Sequence, residues 1–175
     1  MTEHEPEHLQ QSTDSGRGAT RVAAKRIDRV NEWLHVGGAL PPEEYARLSQ
    51  AGITHVIDLR EETVADAGRL KELGLIRQHV PVADHGSPTI EQLTSVAACL
   101  AKGDEPVSMY VHCKGGFGRA ATMAVGLLVA HGVGVDDALE QVRKARPEMR
   151  INDEQLAWLR IVEDRLSEKR KDDRV

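Results

Sequence analysis

An apolar strand, a glycine-rich turn and an apolar helix follow one another without a linker in VSMYVHCKGGFGRAATMAVGLLVAHG, residues 107–132. A strand of this kind that gives way at once to an almost wholly apolar helix needs cover on every side. A sheet flanked by helices supplies that cover, so the segment points to an α/β protein. The rest of the chain repeats the alternation. EWLHVGG (32–38), ITHVIDL (53–59) and IRQHVPV (76–82) read as strands. PPEEYARLSQAG (41–52), ETVADAGRLKELG (62–74) and TIEQLTSVAACLAKG (89–103) read as helices, the first with Pro at its start and Gly at its stop. VDDALEQVRKARP (135–147) and NDEQLAWLRIVEDRLSEKR (152–170) complete the chain as amphipathic helices. The expected fold is a single α/β domain over residues 26–170, with a mostly parallel central sheet and helices on both faces. Residues 1–25 are polar and read as a flexible tail, with His4 and His8 solvated.

Composition narrows the function classes. A formal net charge of −5 argues against a nucleic-acid partner, which usually demands a basic face. No apolar run approaches the ~20 residues that span a bilayer, and the acidic N-terminus has no signal-peptide pattern, so no transmembrane segment is expected. Two cysteines, Cys99 and Cys113, make no disulfide framework, which suits a cytoplasmic protein. No metal or cofactor is called for. Substrate identity, oligomeric state and the role of the tail are not readable from these features.

Cys113 stands at the carboxyl end of a strand, and the helix begins near Arg119. Gly115, Gly116 and Gly118 free the backbone to turn several N–H groups inward. A nest of amides above a helix N-terminus is an anion site that suits phosphate. Arg119 adds a cation able to hold two phosphate oxygens side by side. The same field favours a thiolate at Cys113, and a nucleophile inside an oxyanion cradle describes phosphoryl transfer to sulfur. GFGRAA also fits a relaxed dinucleotide fingerprint, but Asp136 and Asp137 open a helix instead of ending a second strand. A nucleoside triphosphate loop would need Lys-Ser or Lys-Thr where Arg119-Ala120 stands. His112 adjoins Cys113, but strand neighbours point to opposite faces, so its expected role is to brace the loop through the backbone.

HCKGGFGR matches the H-C-x5-R signature of cysteine-dependent phosphatases, and from about Asn31 to about Leu166 the chain resembles a small dual-specificity phosphatase. GITHVIDLRE, an aspartate loop about thirty residues before the cysteine, and RPEMRINDEQ follow the family's order. The resemblance implies catalysis by Cys113, Arg119 and Asp84. Cys113 would be the nucleophile and Asp84 in PVADHGSPT the general acid; a capping role for Asp84 is the alternative, although Ser87 or Thr89 is better placed to cap. The phosphate loop would be Lys114, Gly115, Gly116, Phe117, Gly118 and Arg119, with His112 and Gln155 in support. Asn152 and Gln155 resemble a polar pair near the family's active site, while Asn152 also reads as a helix N-cap.

Many members of this family carry Ser or Thr after the arginine, and its hydroxyl eases release of the thiolate. Here the residue is Ala120, as in the phosphatases of regenerating liver, so a slow second step is expected. Thr122 points away from the loop in this reading. Some relatives protect the nucleophile with a disulfide, which makes Cys99 a candidate partner, although it reads first as a core residue. The substrate reading divides among a phosphoprotein, a phosphoinositide, inositol phosphate or phosphatidylglycerophosphate, and a phosphate-binding module with little turnover. Lys114 and Arg60 favour the lipid or inositol phosphate; pairing of Arg60 with Glu61, Glu62 or Asp58 is the equal alternative. Phe117 stands either at the rim or under a neighbouring loop, and His85 reads as exposed.

Overall fold

Four parallel strands and one antiparallel edge strand make a single sheet in the order β1-β2-β5-β3-β4. The chain runs through α1 (Asp14–Ala24), β1 (Ile27–Arg29), β2 (Leu34–Gly38), a 3-10 turn (Pro42–Glu44), α2 (Ala46–Gln50) and β3 (His55–Arg60). It continues through α3 (Ala67–Glu72), β4 (Ile76–Val82), α4 (Ile90–Ala97) with a 3-10 extension (Ala98–Ala101), and β5 (Met109–Cys113). Three helices close it, α5 (Arg119–Ala130), α6 (Val135–Ala145) and α7 (Asp153–Asp172). The computed structural model describes residues 14–63, 66–101 and 106–172.

The central strand β5 is buried along its whole length, as the unbroken run Met109-Tyr110-Val111 requires of a parallel strand covered on both faces. On one face α5 lies against β2 and β5 and is itself covered by α4, α6 and α7. Every residue from Arg119 to Val129 is buried, which explains a helix with no polar face. Each fully buried Leu or Val there contributes about 1.5–3 kcal/mol. The opposite face carries a smaller core of Leu40, Tyr45, Leu48, Val56, Leu70, Leu75 and Tyr110. Among the described residues no helix is long and apolar enough to cross a membrane.

The N-terminal segment differs from the expected tail. From Asp14 it is helical, and Ala23 at its end is buried. The tie is remote in sequence: the Ala23 carbonyl accepts from Arg146 Nη2 at 3.1 Å. Strand β1 was not expected either. Its three residues are too short to show a pattern, and they are held by pairing with β2 from Ile27↔Gly37 to Arg29↔His35. His4 and His8 lie outside the described residues. Because β2, β5, β3 and β4 run parallel, the loops leaving Arg60, Val82 and Cys113 gather at one edge of the sheet.

Candidate active site

The loop after β5 is shaped from behind. The carbonyl of Lys114 accepts from the Ala39 N–H at 3.0 Å, and that of Phe117 from the Arg150 N–H at 2.7 Å. Between them, Arg146 donates to the Gly115 carbonyl through Nη2 at 2.8 Å and to the Gly116 carbonyl through Nε at 2.6 Å. The Gly118 carbonyl is taken by the Thr122 N–H and hydroxyl. Five successive carbonyls are thus tied outward. In a planar trans peptide the next N–H points the other way, so the amides of residues 115–119 face a common centre. Gly116 shows the result directly, with its N–H donating to Cys113 Sγ at 3.2 Å.

Gly116 has φ of 77°, and a side chain there would collide with the main chain of Gly37. Only glycine combines that conformation with that contact. Arg146 is fully buried, and its charge is met by Asp28 at 2.7 Å. Its guanidinium carbon also lies 4.9 Å from the centre of the Phe117 ring. Phe117 therefore packs down against the loop while its partly exposed ring still lines the cavity.

Arg119 opens α5 and is 2% exposed. Its Nη1 and Nη2 donate to the two carboxylate oxygens of Glu62 at 2.8 and 2.9 Å. Nη1 also reaches the Val82 carbonyl at 3.0 Å, and Nη2 lies 3.3 Å from Asp84 Oδ1. The hydrogen bond from Arg119 holds the Glu62 carboxyl down at about 2. Arg119 Nε is left without a protein acceptor among the described residues, and Arg119 lines the same cavity as Cys113.

Asp84 lies in the loop after β4 and is exposed. The loop turns tightly, with the Gly86 N–H donating to the Ala83 carbonyl at 2.8 Å and His85 at a φ of 61°. A histidine in the left-handed region needs outside support. It comes from the start of α7: Asn152 Nδ2 donates to the His85 carbonyl at 2.9 Å and Gln155 Nε2 to the Gly86 carbonyl at 2.8 Å. The same two residues cap α7 reciprocally, Gln155 N–H to Asn152 Oδ1 and Asn152 N–H to Gln155 Oε1. Capping and loop support are thus one arrangement. The cap of α4 is Thr89, in a second capping box with Gln92, so Asp84 is free of that task.

Cys113, Arg119, Asp84, Lys114, Gly115, Phe117, Gly118, Asn152 and Gln155 line one cavity of about 400 Å³, joined by His85, Arg150 and Ile151. His112 is outside it. Its ring is buried, Nδ1 lies 3.3 Å from the Cys113 carbonyl, and since a carbonyl only accepts, Nδ1 carries the proton. Burial pushes this imidazole down to about 4. Thr122 does not line the cavity; its hydroxyl donates to the carbonyl of the loop residue Gly118 at 3.0 Å.

Two open alternatives are decided, Arg60 by its pair with Asp58 and Cys99 by its packing against the core. Arg60 does not face the cavity; it forms a two-pronged pair with Asp58 at 2.9 and 3.0 Å, because that buried carboxylate needs a cation. Cys99 does not approach Cys113. Its thiol contacts Gln78 on β4, and β3 separates β4 from β5, a gap of about 10 Å at ordinary strand spacing. Disulfide geometry cannot bridge it.

Sequence reading missed Glu62, Arg146 and Arg150. Glu62 follows a strand end, where an acid is unremarkable, and Arg146 and Arg150 sit in RPEMR, a stretch with no periodic signal.

The family model described as PTP-SAK, "Swiss Army Knife protein, DSP-PTPase phosphatase domain", matches residues 39–175. The chain is 29% identical over 133 residues to the phosphatidylglycerophosphate phosphatase PTPMT2 of Arabidopsis thaliana, covering 73% of this chain and 58% of that protein. It is 28% identical over 129 residues to dual specificity protein phosphatase 12 of Mus musculus, covering 71% and 37%. The chain thus spans little more than half of these relatives, or less. The solved structure of PTPMT1 in complex with PI(5)P shares the fold at a TM-score of 0.74 and 23% identity, covering 81% of this chain and 96% of that one.

Proposed function

We propose that this chain, which belongs to the DSP-PTPase phosphatase domain family, hydrolyses phosphomonoesters through a phosphocysteine on Cys113. The observation that carries the reading is the ring of inward amides around Cys113 Sγ, with Arg119 and Asp84 on the same cavity. The amides of residues 115–119 and Arg119 Nε take the nonbridging oxygens, whose charge they meet without solvent reorganisation. Sγ attacks phosphorus, the bond to the leaving oxygen breaks, and Asp84 passes its proton to that oxygen. Water then attacks phosphorus, the S–P bond breaks, and Asp84 takes a proton from the water as inorganic phosphate and the thiolate form.

Two leaving groups suit the cavity, each with its own support. A phosphoprotein, as for a protein tyrosine or dual-specificity phosphatase, is favoured by the likeness to the mouse enzyme and by the partly exposed Phe117 ring, which suits an aromatic group. A lipid or inositol phosphate is favoured by the likeness to the Arabidopsis enzyme and by Lys114 at the cavity. The test is Cys113→Ser assayed with para-nitrophenyl phosphate. Turnover is expected to vanish while phosphate still binds; turnover at the parent rate would end the proposal.

A further inference from the structure

Of the carbonyls tied outward behind the phosphate turn, those of Gly115 and Gly116 are held by Arg146 alone among the described residues. Their peptide planes carry the N–H groups of Gly116 and Phe117, the first of which donates to Cys113 Sγ. Arg146 is wholly buried, so its charge must be met from within the protein. The carboxylate that meets it belongs to Asp28 on β1, at 2.7 Å and 118 residues away in sequence. Among the described residues no other carboxylate reaches Arg146.

The N-terminal segment touches the turn in two further ways. The Ala23 carbonyl accepts from Arg146 Nη2, the nitrogen that also holds Gly115. The Ala24 carbonyl lies 2.5 Å from where a Gly38 Cβ would stand, and the Lys114 carbonyl lies 2.9 Å from the same point. Any side chain at Gly38 would therefore push segment and turn apart. Arg26 completes the arrangement. It donates to both oxygens of Asp28 at 3.0 and 3.1 Å, and to both oxygens of Glu148 at 2.8 Å. Glu148 stands between Arg146 and Arg150, whose N–H holds the Phe117 carbonyl. A chain of alternating charges, Glu148–Arg26–Asp28–Arg146, thus runs from the surface to the turn. Buried ion pairs add little net stability but fix geometry, which is more than anchoring the segment would require.

We infer that Asp28 is a positioning residue for phosphoryl transfer: by neutralising Arg146 it keeps the Gly116 and Phe117 N–H groups turned toward the reacting phosphate. The inference rests on the phosphatase reading of the cavity. It makes residues 23–29 a working part of the active site, although none of them lines it. Asp28→Asn keeps the shape and an oxygen for Arg146 but removes the charge. The guanidinium, left buried without a counter-charge, then draws in water or shifts toward solvent, and both carbonyls lose their fixed donor. A peptide plane turns as a unit, so each carbonyl set free takes its N–H out of the cradle.

The experiment measures kcat/KM on para-nitrophenyl phosphate and on an alkyl phosphate, together with the inhibition constant of inorganic phosphate. It is run at a temperature where each variant is folded by denaturant unfolding. For Asp28→Asn, kcat/KM is expected to fall about tenfold on both substrates, because the cradle serves the phosphoryl whatever its leaving group, and the phosphate constant to rise about as much. Ile27→Ala loosens the same strand through the smaller core and should move neither quantity by more than about twofold. If Asp28→Asn does not fold, Arg26→Ala, at a half-exposed position, replaces it, with a severalfold rise in the phosphate constant expected. A phosphate constant unchanged in the variant that folds overturns the inference. So does an equal rise in Ile27→Ala, or a fall in kcat/KM confined to the alkyl phosphate, which would point to Asp84. Each of those results leaves the phosphatase reading standing, which is lost instead if Cys113→Ser still turns over para-nitrophenyl phosphate.

Discussion

Glu62 grips Arg119 with both carboxylate oxygens, at 2.8 and 2.9 Å, across 57 residues of sequence. The pair fixes the guanidinium through Nη1 and Nη2, and Nε keeps no protein acceptor among the described residues. Glu62→Ala should lower kcat/KM on para-nitrophenyl phosphate by about tenfold or more, since a charge-assisted hydrogen bond that orients a transition-state contact is lost. Glu62 titrates near 2, so it stays ionised through any ordinary assay. The acid limb of a kcat/KM profile should therefore not move in Glu62→Gln; a limb displaced by this variant would contradict the assignment.

Asn152 joins helix capping to support of the Asp84 loop. Asn152→Asp keeps an oxygen for the Gln155 N–H but turns the donor facing the His85 carbonyl into an acceptor. Stability should change by less than about 1 kcal/mol, because the cap survives. Activity should fall mainly on substrates with poor leaving groups, which depend on Asp84 for a proton. Comparing para-nitrophenyl phosphate with an alkyl phosphate checks this; equal losses on both would show that Asn152 does not act through the acid loop.

Ala120 lies fully buried in the first turn of α5, where no hydroxyl serves the departing thiolate. Thr122 does not substitute, since its hydroxyl is bonded to Gly118. Rapid-quench kinetics with para-nitrophenyl phosphate should show a burst of nitrophenolate and an accumulated phosphoenzyme. Ala120→Ser should shrink the burst and raise kcat severalfold. A parent enzyme with no burst would place the slow step elsewhere.

His112 makes acid a destabilising condition. Burial lowers its folded value from 6.5 to about 4, so between those limits the unfolded chain binds a proton that the folded chain refuses. Stability present above pH 6.5 is lost as pH falls toward 4, by on the order of 3 kcal/mol from this group. His35 and His55 are also lowered by burial and act in the same direction. Denaturant unfolding of His112→Gln should show a flatter decline over this window than the parent; an identical decline would mean that His112 is not responsible.

Much of this site was legible before any coordinates. The strand, glycine turn and helix around Cys113 are contiguous, and their signal is local. Asp84 was legible only through the family resemblance, which places an aspartate loop about thirty residues before the cysteine. Arg60 was not, since the end of a strand tells nothing of whether a long side chain reaches forward to a ligand or back to Asp58. The helix at Asp14–Ala24 was hidden for a similar reason. Its polar composition gives no core-facing stripe that is clear by itself, and the contact that ties it down comes from Arg146, 123 residues away.

By itself, then, the sequence determined the α/β alternation, the place of the phosphate turn between β5 and α5, and the chemical kinds of Cys113, Arg119 and Asp84. Periodicity, glycine content and residue type act within a few positions of one another, and all three can be read locally. Tertiary structure alone decided which way the peptide planes of residues 114–119 face, through Ala39, Arg146 and Arg150. It also decided that Glu62 holds Arg119, that Asn152 and Gln155 hold the Asp84 loop, and that Arg60 turns away. Apart from the Arg60–Asp58 pair, these contacts join residues from about 30 to 75 positions apart in sequence. Which of many possible partners wins is settled only when the parallel sheet brings its loops to one edge.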